Sequence, residues 1–357
     1  MADIEITNCH THTFTNRHVP RDYPHPFLRL FKNRPWLILV LSVIFQGLGQ
    51  ADFAAKLRRL HRFQREGAHG RQSEVLDGMM RQYPGGTRFV VLPMDMSQMD
   101  HGPLAADLRA QHDELAALAA EPRRKGLVIP FATLHPEAPG AMAEVRRCVE
   151  QLGFRGIKIY PRLGFAPDHR LLMQELYPYA VAHDLPIMTH CSRGGVARRR
   201  LDQTIGDRYC EPNAYLGVLH EFPKLRLCLA HFGGNQDWVD YVDNGLDPDP
   251  DNRMARRNWQ VMIRDMIGSG LYPNLYTDIS YTLFQFEDFV PFLRLFLEDK
   301  GLAQRVLFGS DHYMTRQEAL SERAVCFRLR VALGEDMFRQ IAETNPAVWL
   351  GEPAEVL

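Results

Sequence analysis

Ile4-Glu5-Ile6-Thr7-Asn8-Cys9-His10-Thr11-His12 alternates apolar and polar residues and then ends in two histidines one residue apart. On a strand, side chains at i and i+2 share a face. The stretch therefore predicts a strand from whose end His10 and His12 project together. Two converging imidazoles make half of a metal site. Taken alone, one His-x-His among 15 histidines reads equally well as two surface residues. Its meaning depends on what the other strand ends carry.

Seven further stretches read as strands: 87–93, 126–132, 154–161, 185–190, 225–231, 275–280 and 305–311. They are short and nearly continuously apolar, the pattern of strands buried on both faces. Helical stretches separate most of them, at 104–120, 138–152, 171–183, 215–221, 259–267 and 286–297. Two more, 317–333 and 337–350, close the chain. Eight strands alternating with helices predict an α/β fold, a (β/α)8 barrel. A doubly wound sheet would want a glycine-rich turn after its first strand, where this chain has His-Thr-His.

The whole chain, 1–357, reads as one domain with two excursions. The longer, 13–86, follows strand one, and the smaller, 237–258, follows strand six. The first holds Pro20, Pro24, Pro26 and Pro35, then the apolar run 36–45, then a strongly charged helical part over 51–83 that Pro84-Gly85-Gly86 ends. Excursions of this length shape a substrate pocket or an interface. The run 36–45 falls well short of the roughly 20 apolar residues that span a bilayer. It is expected as a buried or lid helix, and it leaves room for a homo-oligomer, a dimer. In the second excursion, Asp247-Pro248-Asp249-Pro250-Asp251 reads as a solvated loop, because its prolines and missing glycine do not suit a calcium loop.

Composition narrows the function classes. Hydrophobic content of 45% and charged content of 24% are ordinary for a soluble globular chain. A net charge of −1 argues against nucleic acid as the main partner. Six scattered cysteines without a C-x-x-C pair fit free thiols, and no basic-apolar leader pattern opens the chain. These features lead to the expectation of a cytoplasmic protein whose partner is a small molecule, with neither nucleic acid nor membrane involved.

In a barrel the C-terminal ends of all strands ring one mouth. Here those ends carry His10, His12, Lys158, His190, His231 and Asp311, on strands one, four, five, six and eight. Neutral imidazoles with a carboxylate suit zinc, manganese or iron. Each residue alone is more often structural; the full set at corresponding ends is hard to obtain by chance. Cys9 and Cys191 are expected to point away from the mouth by strand alternation. His312 reads equally as pocket-facing or as a surface residue, and Gly233-Gly234 as a tight turn.

This set resembles the amidohydrolase superfamily of metal-dependent TIM-barrel enzymes, and within it the amidohydrolase-2 branch of hydrolases and non-oxidative decarboxylases. The resemblance is carried by His10-Thr11-His12, Gly156-Ile157-Lys158-Ile159-Tyr160-Pro161, Pro186-Ile187-Met188-Thr189-His190, Ala230-His231-Phe232-Gly233-Gly234, Phe308-Gly309-Ser310-Asp311 and the closing Asn345-Pro346-Ala347-Val348-Trp349-Leu350-Gly351. It implies that His10, His12 and Asp311 bind a first divalent ion, zinc before manganese or iron. His190 would complete a one-metal site and His231 would be a free catalytic histidine. In two-metal members a carbamylated lysine bridges the ions, and His190 and His231 hold the second. Lys158 stands in that place, and an unmodified lysine pairing with a carboxylate is the equal alternative.

Three functions are consistent with this reading. In the first, the ion lowers the pKa of a bound water to about 7, giving a hydroxide that attacks a lactone, ester or amide. Asp311 moves the proton, and His231 or a second ion polarises the carbonyl. In the second, the ion and a basic residue hold an unsaturated or aromatic acid for decarboxylation. Arg162, Arg193 or Arg198 would serve as grips, and His231 or Asp311 would manage the proton. The third, a non-catalytic metal-stabilised barrel, would be expected to have lost a ligand, and none is lost.

Overall fold

The computed structural model of the chain describes residues 4–23, 25–26, 29, 31, 34–244, 258–280 and 286–352. Among them the strands run in order: β1 (Thr7–Thr11), β2 (Arg88–Val91), β3 (Val128–Pro130), β4 (Ala132–Thr133), β5 (Ile157–Ile159), β6 (Ile187–Thr189), β7 (Leu227–Leu229), β8 (Leu275–Asp278) and β9 (Val306–Leu307). All neighbours pair in parallel, β1 with β2, β2 with β3, and β4 through β9 in succession. Phe131 alone separates β3 from β4, so the two form one stave. The last stave returns to the first through backbone bonds: Cys9 N donates to Phe308 O at 2.8 Å and Asp311 N to His10 O at 2.9 Å. Eight parallel staves closed in this way make the TIM barrel that the sequence predicts.

Strand alternation sorts the side chains. Val90, Leu92, Ile129, Phe131, Met188, Cys228, Tyr276 and Leu307 share one buried cluster inside the barrel. Their sequence neighbours Phe89, Val91, Ile187 and Leu227 belong to the larger core beneath the helices. β1 departs from the alternation. Asn8 faces Phe89 and Thr11 faces Val91, so β1 holds one residue more than β2 between these pairs. Such a bulge re-aims a side chain, and bulges concentrate beside active sites. Cys9 therefore joins the interior cluster while His10 still faces the mouth. Cys9 does not line the cavity, in keeping with its expected aim away from the mouth, and it packs in the interior cluster below.

The chain's end seals the opposite opening. Trp349 and Leu350 join the interior cluster, with the Trp349 ring 5.5 Å from Phe131. Glu352 accepts from Arg88 at 2.7 Å and from Arg155 at 3.1 Å, two residues at the entry to β2 and just before β5.

The first excursion builds a helical hairpin, α1 (Pro35–Gly47) and α2 (Ala51–Gly67), followed by a helix over Gln72–Met80. The expected buried helix at 36–45 is buried on one face only. Ile38 and Ser42 are covered, but Trp36, Val40 and Val43 remain 59%, 47% and 65% exposed. The reason is its support: α1 lies against α2, which covers a single stripe. No helix among the described residues is long and apolar enough to cross a membrane. The expected helix 317–333 starts later, at Glu322, and ends at Leu333; a separate short helix, His312–Gln317, precedes it, and Ser321 opens the longer one, its hydroxyl accepting from Ala324 N at 3.3 Å. A serine N-cap of this kind fixes a helix start. The run 247–251 lies outside the described residues.

Candidate metal centre

The mouth opens on a cavity of about 440 Å³ whose lining includes His10, His12, His190, His231 and Asp311. Ring atoms of His10 and His231 and a carboxylate oxygen of Asp311 all lie within 4.8 Å of one another. His190 adjoins them, its Nδ1 3.0 Å from His231 Nε2. The His12 ring centroid is 5.2 Å from that of His10. Lys158 does not reach the cavity surface. It is buried in the barrel, and its Nζ has no hydrogen-bond partner.

The backbone that presents these groups is unusual. Asp311, His231 and Phe232 adopt positive φ of 50°, 73° and 42°, a region that costs non-glycine residues energy and persists where surroundings hold it. Asp278 holds much of it. Its Oδ1 accepts from His231 N at 3.1 Å and Ser280 N at 2.9 Å, and its Oδ2 accepts from His10 Nδ1 at 2.8 Å. The turn continues through Gly233, at φ +86°, where an added Cβ would stand 2.4 Å from Gln260 N. Only glycine fits that approach.

The histidine tautomers follow from their partners. His12 Nδ1 donates to Leu92 O at 2.7 Å and His10 Nδ1 donates to Asp278, so both leave Nε2 with a lone pair. His10 Nε2 is buried without any partner. Burial holds His12 and His190 down at about 3, and holds His10 and His231 well below the usual histidine range. All four rings are therefore neutral, as a ligating imidazole must be. Burial raises Asp311 to about 7 and lowers Lys158 to about 8. An orphaned lone pair beside neutral imidazoles and a carboxylate is what a divalent cation would satisfy. The donor set fits one.

Other expectations change. His312 neither faces the pocket nor reaches the surface. It is 1% exposed, with Nε2 2.9 Å from Glu66 and Nδ1 3.3 Å from Glu322. Burial opposes its charge, but these two carboxylates outweigh it and lift His312 to about 9. None of the three arginines considered as carboxylate grips lines the cavity. Arg162 pairs with Asp207, Arg193 with Asp237 at 2.9 Å while covering the Trp259 ring, and Arg198 with Asp100 at 2.7 Å. The sequence reading passed over Asp278 and the wall that α2 contributes. Asp278 had a signal, being a carboxylate at the end of an apolar strand.

A second group, His112, Glu144 and Cys148, also converges, but its hydrogen bonds argue against a metal. His112 Nε2 accepts from Thr133 N at 3.3 Å, so Nδ1 carries the proton and donates to Glu144 at 2.9 Å. No lone pair is left on that ring. Arg147 grips the same carboxylate at 2.7 Å, and burial pushes the Cys148 thiol up, keeping it protonated.

Comparison with known proteins agrees with the barrel. An uncharacterised TIM-barrel protein from Bordetella bronchiseptica superposes with a TM-score of 0.55 at 19% identity, over 98% of this chain and 99% of that one. A 5-carboxyvanillate decarboxylase from Sphingomonas paucimobilis gives 0.56 at 14% identity, over 98% and 100%. At such identities the likeness establishes the fold. The sequence model of the amidohydrolase family matches residues 8–351, nearly the whole length and every strand end described above, and the chain belongs to that family.

Proposed function

We propose that this chain is a metal-dependent hydrolase of a small-molecule amide, ester or lactone. The observation that carries the reading is the convergence of His10, His231 and Asp311 on one buried point, with His10 Nε2 unpartnered. His10, His231 and Asp311 would hold the ion, with His12 and His190 beside them to complete its shell, zinc first by the nitrogen-rich donor set. When bound, it supplies Lewis acidity toward water and toward a substrate carbonyl. Asp311 would take a proton from the attacking water and pass it to the leaving group. Asp278 fixes the His10 ring and the His231 backbone, so both keep one orientation. The apolar wall of Phe14, Phe63 and Met94 excludes bulk water.

Decarboxylation is the less supported alternative, because the arginines that would hold a second carboxylate are engaged elsewhere. The Asp311→Asn variant should lose about 1,000-fold or more in turnover on a panel of amides, esters and lactones while keeping its fold, the general acid–base and ligand roles failing together. Labelled water should appear in the product carboxylate. Near-normal turnover by the variant, or carbon dioxide release without label, overturns the reading.

Lys158 bears on whether one ion or two are held. Its Nζ is desolvated and unpartnered. Addition of carbon dioxide to the neutral amine, with loss of one proton, would give it the anionic oxygens to reach a second ion beside His190 and His231. Elemental analysis of protein purified without chelator tests this. Two ions per chain support the carbamate, and one leaves the lysine unmodified.

A further inference from the structure

The hairpin built by the first excursion supplies a wall of the cavity. Lys56, Arg59, Leu60, Phe63 and Gln64 of α2 all line it, at the spacing of a single helical face. Burial rises along that face. Lys56 and Arg59 are exposed, Leu60 and Phe63 half-buried, and Gln64 only 5% exposed. The buried end adjoins the metal centre, because Glu66, two residues further on, bonds His312 beside Asp311. Phe63 continues into a run of rings. It lies 5.4 Å from Tyr313, which stacks on Phe14 at 4.4 Å, and Phe14 lies 5.7 Å from His12.

Two polar groups on this wall lack protein partners among the described residues. Gln64 Oε1 is a buried acceptor without a donor. Lys56 has no ion pair, whereas its neighbour Arg59 is taken by Glu318. A buried acceptor left open in a cavity wall is costly unless a ligand supplies the donor.

We propose that α2 is the substrate-recognition helix. The substrate presents an N–H or O–H beside its reacting carbonyl to Gln64, lays an apolar, ring-sized body along Leu60, Phe63 and Phe14, and carries an anionic group that meets Lys56 at the rim. The eight residue steps from Lys56 to Gln64 span about 12 Å of helix, which sets the separation of donor and anion. Among the substrates of the proposed hydrolase, on which this inference rests, simple esters and lactones have no such donor. The class selected is therefore an amide bearing N–H, with a remote carboxylate.

The test uses two hydroxamates that differ only in a carboxylate: 3-phenylpropanohydroxamate and its para-carboxylate. Both chelate divalent metal and carry the donor, and neither needs turnover. Their binding to the metal-loaded protein is measured by calorimetry. The carboxylate form should bind about threefold to fivefold more tightly, the range for an exposed ion pair. The Lys56→Met variant should erase that difference while leaving the plain phenyl ligand unchanged. Gln64→Leu should weaken both ligands to a similar extent. Equal binding of the pair by the native protein, or a difference that survives Lys56→Met, overturns the inference and leaves the metal-centred function standing. Unchanged affinities in Gln64→Leu likewise overturn the assigned donor contact. Failure of both ligands to bind the native protein overturns the metal-centred function, and this inference with it.

Discussion

Asp278 shows how one carboxylate can organise a centre without being a ligand. Its two oxygens fix the His10 ring, the His231 amide and the Ser280 amide together. Partners of this kind set the tautomer and aim of a ligating histidine, and their loss typically costs about 10–100-fold in metal affinity. Asp278→Ala should show a loss of that order in chelator-competition titrations while retaining the barrel's circular dichroism. Native affinity in the variant would show that the backbone alone aims His10. That His10, His12, His190, His231 and Asp311 would line one cavity was legible in the sequence, because each ends an apolar run. The hub was legible in principle from the same rule applied to 275–280. The setting of His312 was not, since its partners Glu66 and Glu322 lie 246 and 10 residues away and no local pattern joins them. The bulge in β1 was not legible either, because an added residue leaves no mark in a period-two pattern.

Strands and most helices were legible because their periodicity is imposed by burial, whereas the support under a helix is not written in the helix. α1 reads as core by composition and yet exposes Trp36, Val40 and Val43, because its main support among the described residues is the single helix α2. Polar contacts between helices are equally silent in sequence. Glu144, on the helix Ala141–Glu150, joins His112 at 2.9 Å on the helix Leu108–Ala120, and also takes Arg147. Burial pushes its carboxyl up, but the bonds to His112 and Arg147 outweigh that and hold it well below the usual 4.5. A carboxyl whose folded pKa is depressed stabilises the fold above its unfolded pKa, and that contribution is lost as pH falls through the folded value. Glu144→Gln should therefore cost about 1 kcal/mol at pH 7, allowing for solvent screening of the half-open network. The deficit should begin to shrink as pH falls below about 4, where the carboxyl of the unfolded chain takes up its proton, and should vanish only as pH falls through the depressed folded value. Urea melts at both pH values test this, and a deficit independent of pH would assign the effect to packing.

The two ends of the barrel do different work. One end gathers the candidate metal residues and the cavity; the other is sealed by Trp349, whose ring meets Phe131, and by Glu352 between Arg88 and Arg155. Between them lies the interior layer of Val90, Ile129, Met188, Cys228 and Tyr276. Sites separated by a packed layer with no shared partner usually add in free energy within about 0.5 kcal/mol. Trp349→Ala removes a fully buried ring and should cost about 3–5 kcal/mol. Saturating metal at about 1,000 times its Kd should add about 4 kcal/mol at the opposite end, since it binds only the folded centre. The two effects should therefore be independent: the metal increment measured by denaturant melts should be the same in native protein and in Trp349→Ala, with turnover per folded chain unchanged. An increment lost in the variant would mean that the plug sets the positions of His10 and Asp311 through the interior layer. In that case the barrel is one cooperative lever rather than a rigid frame carrying a site at one end and a seal at the other.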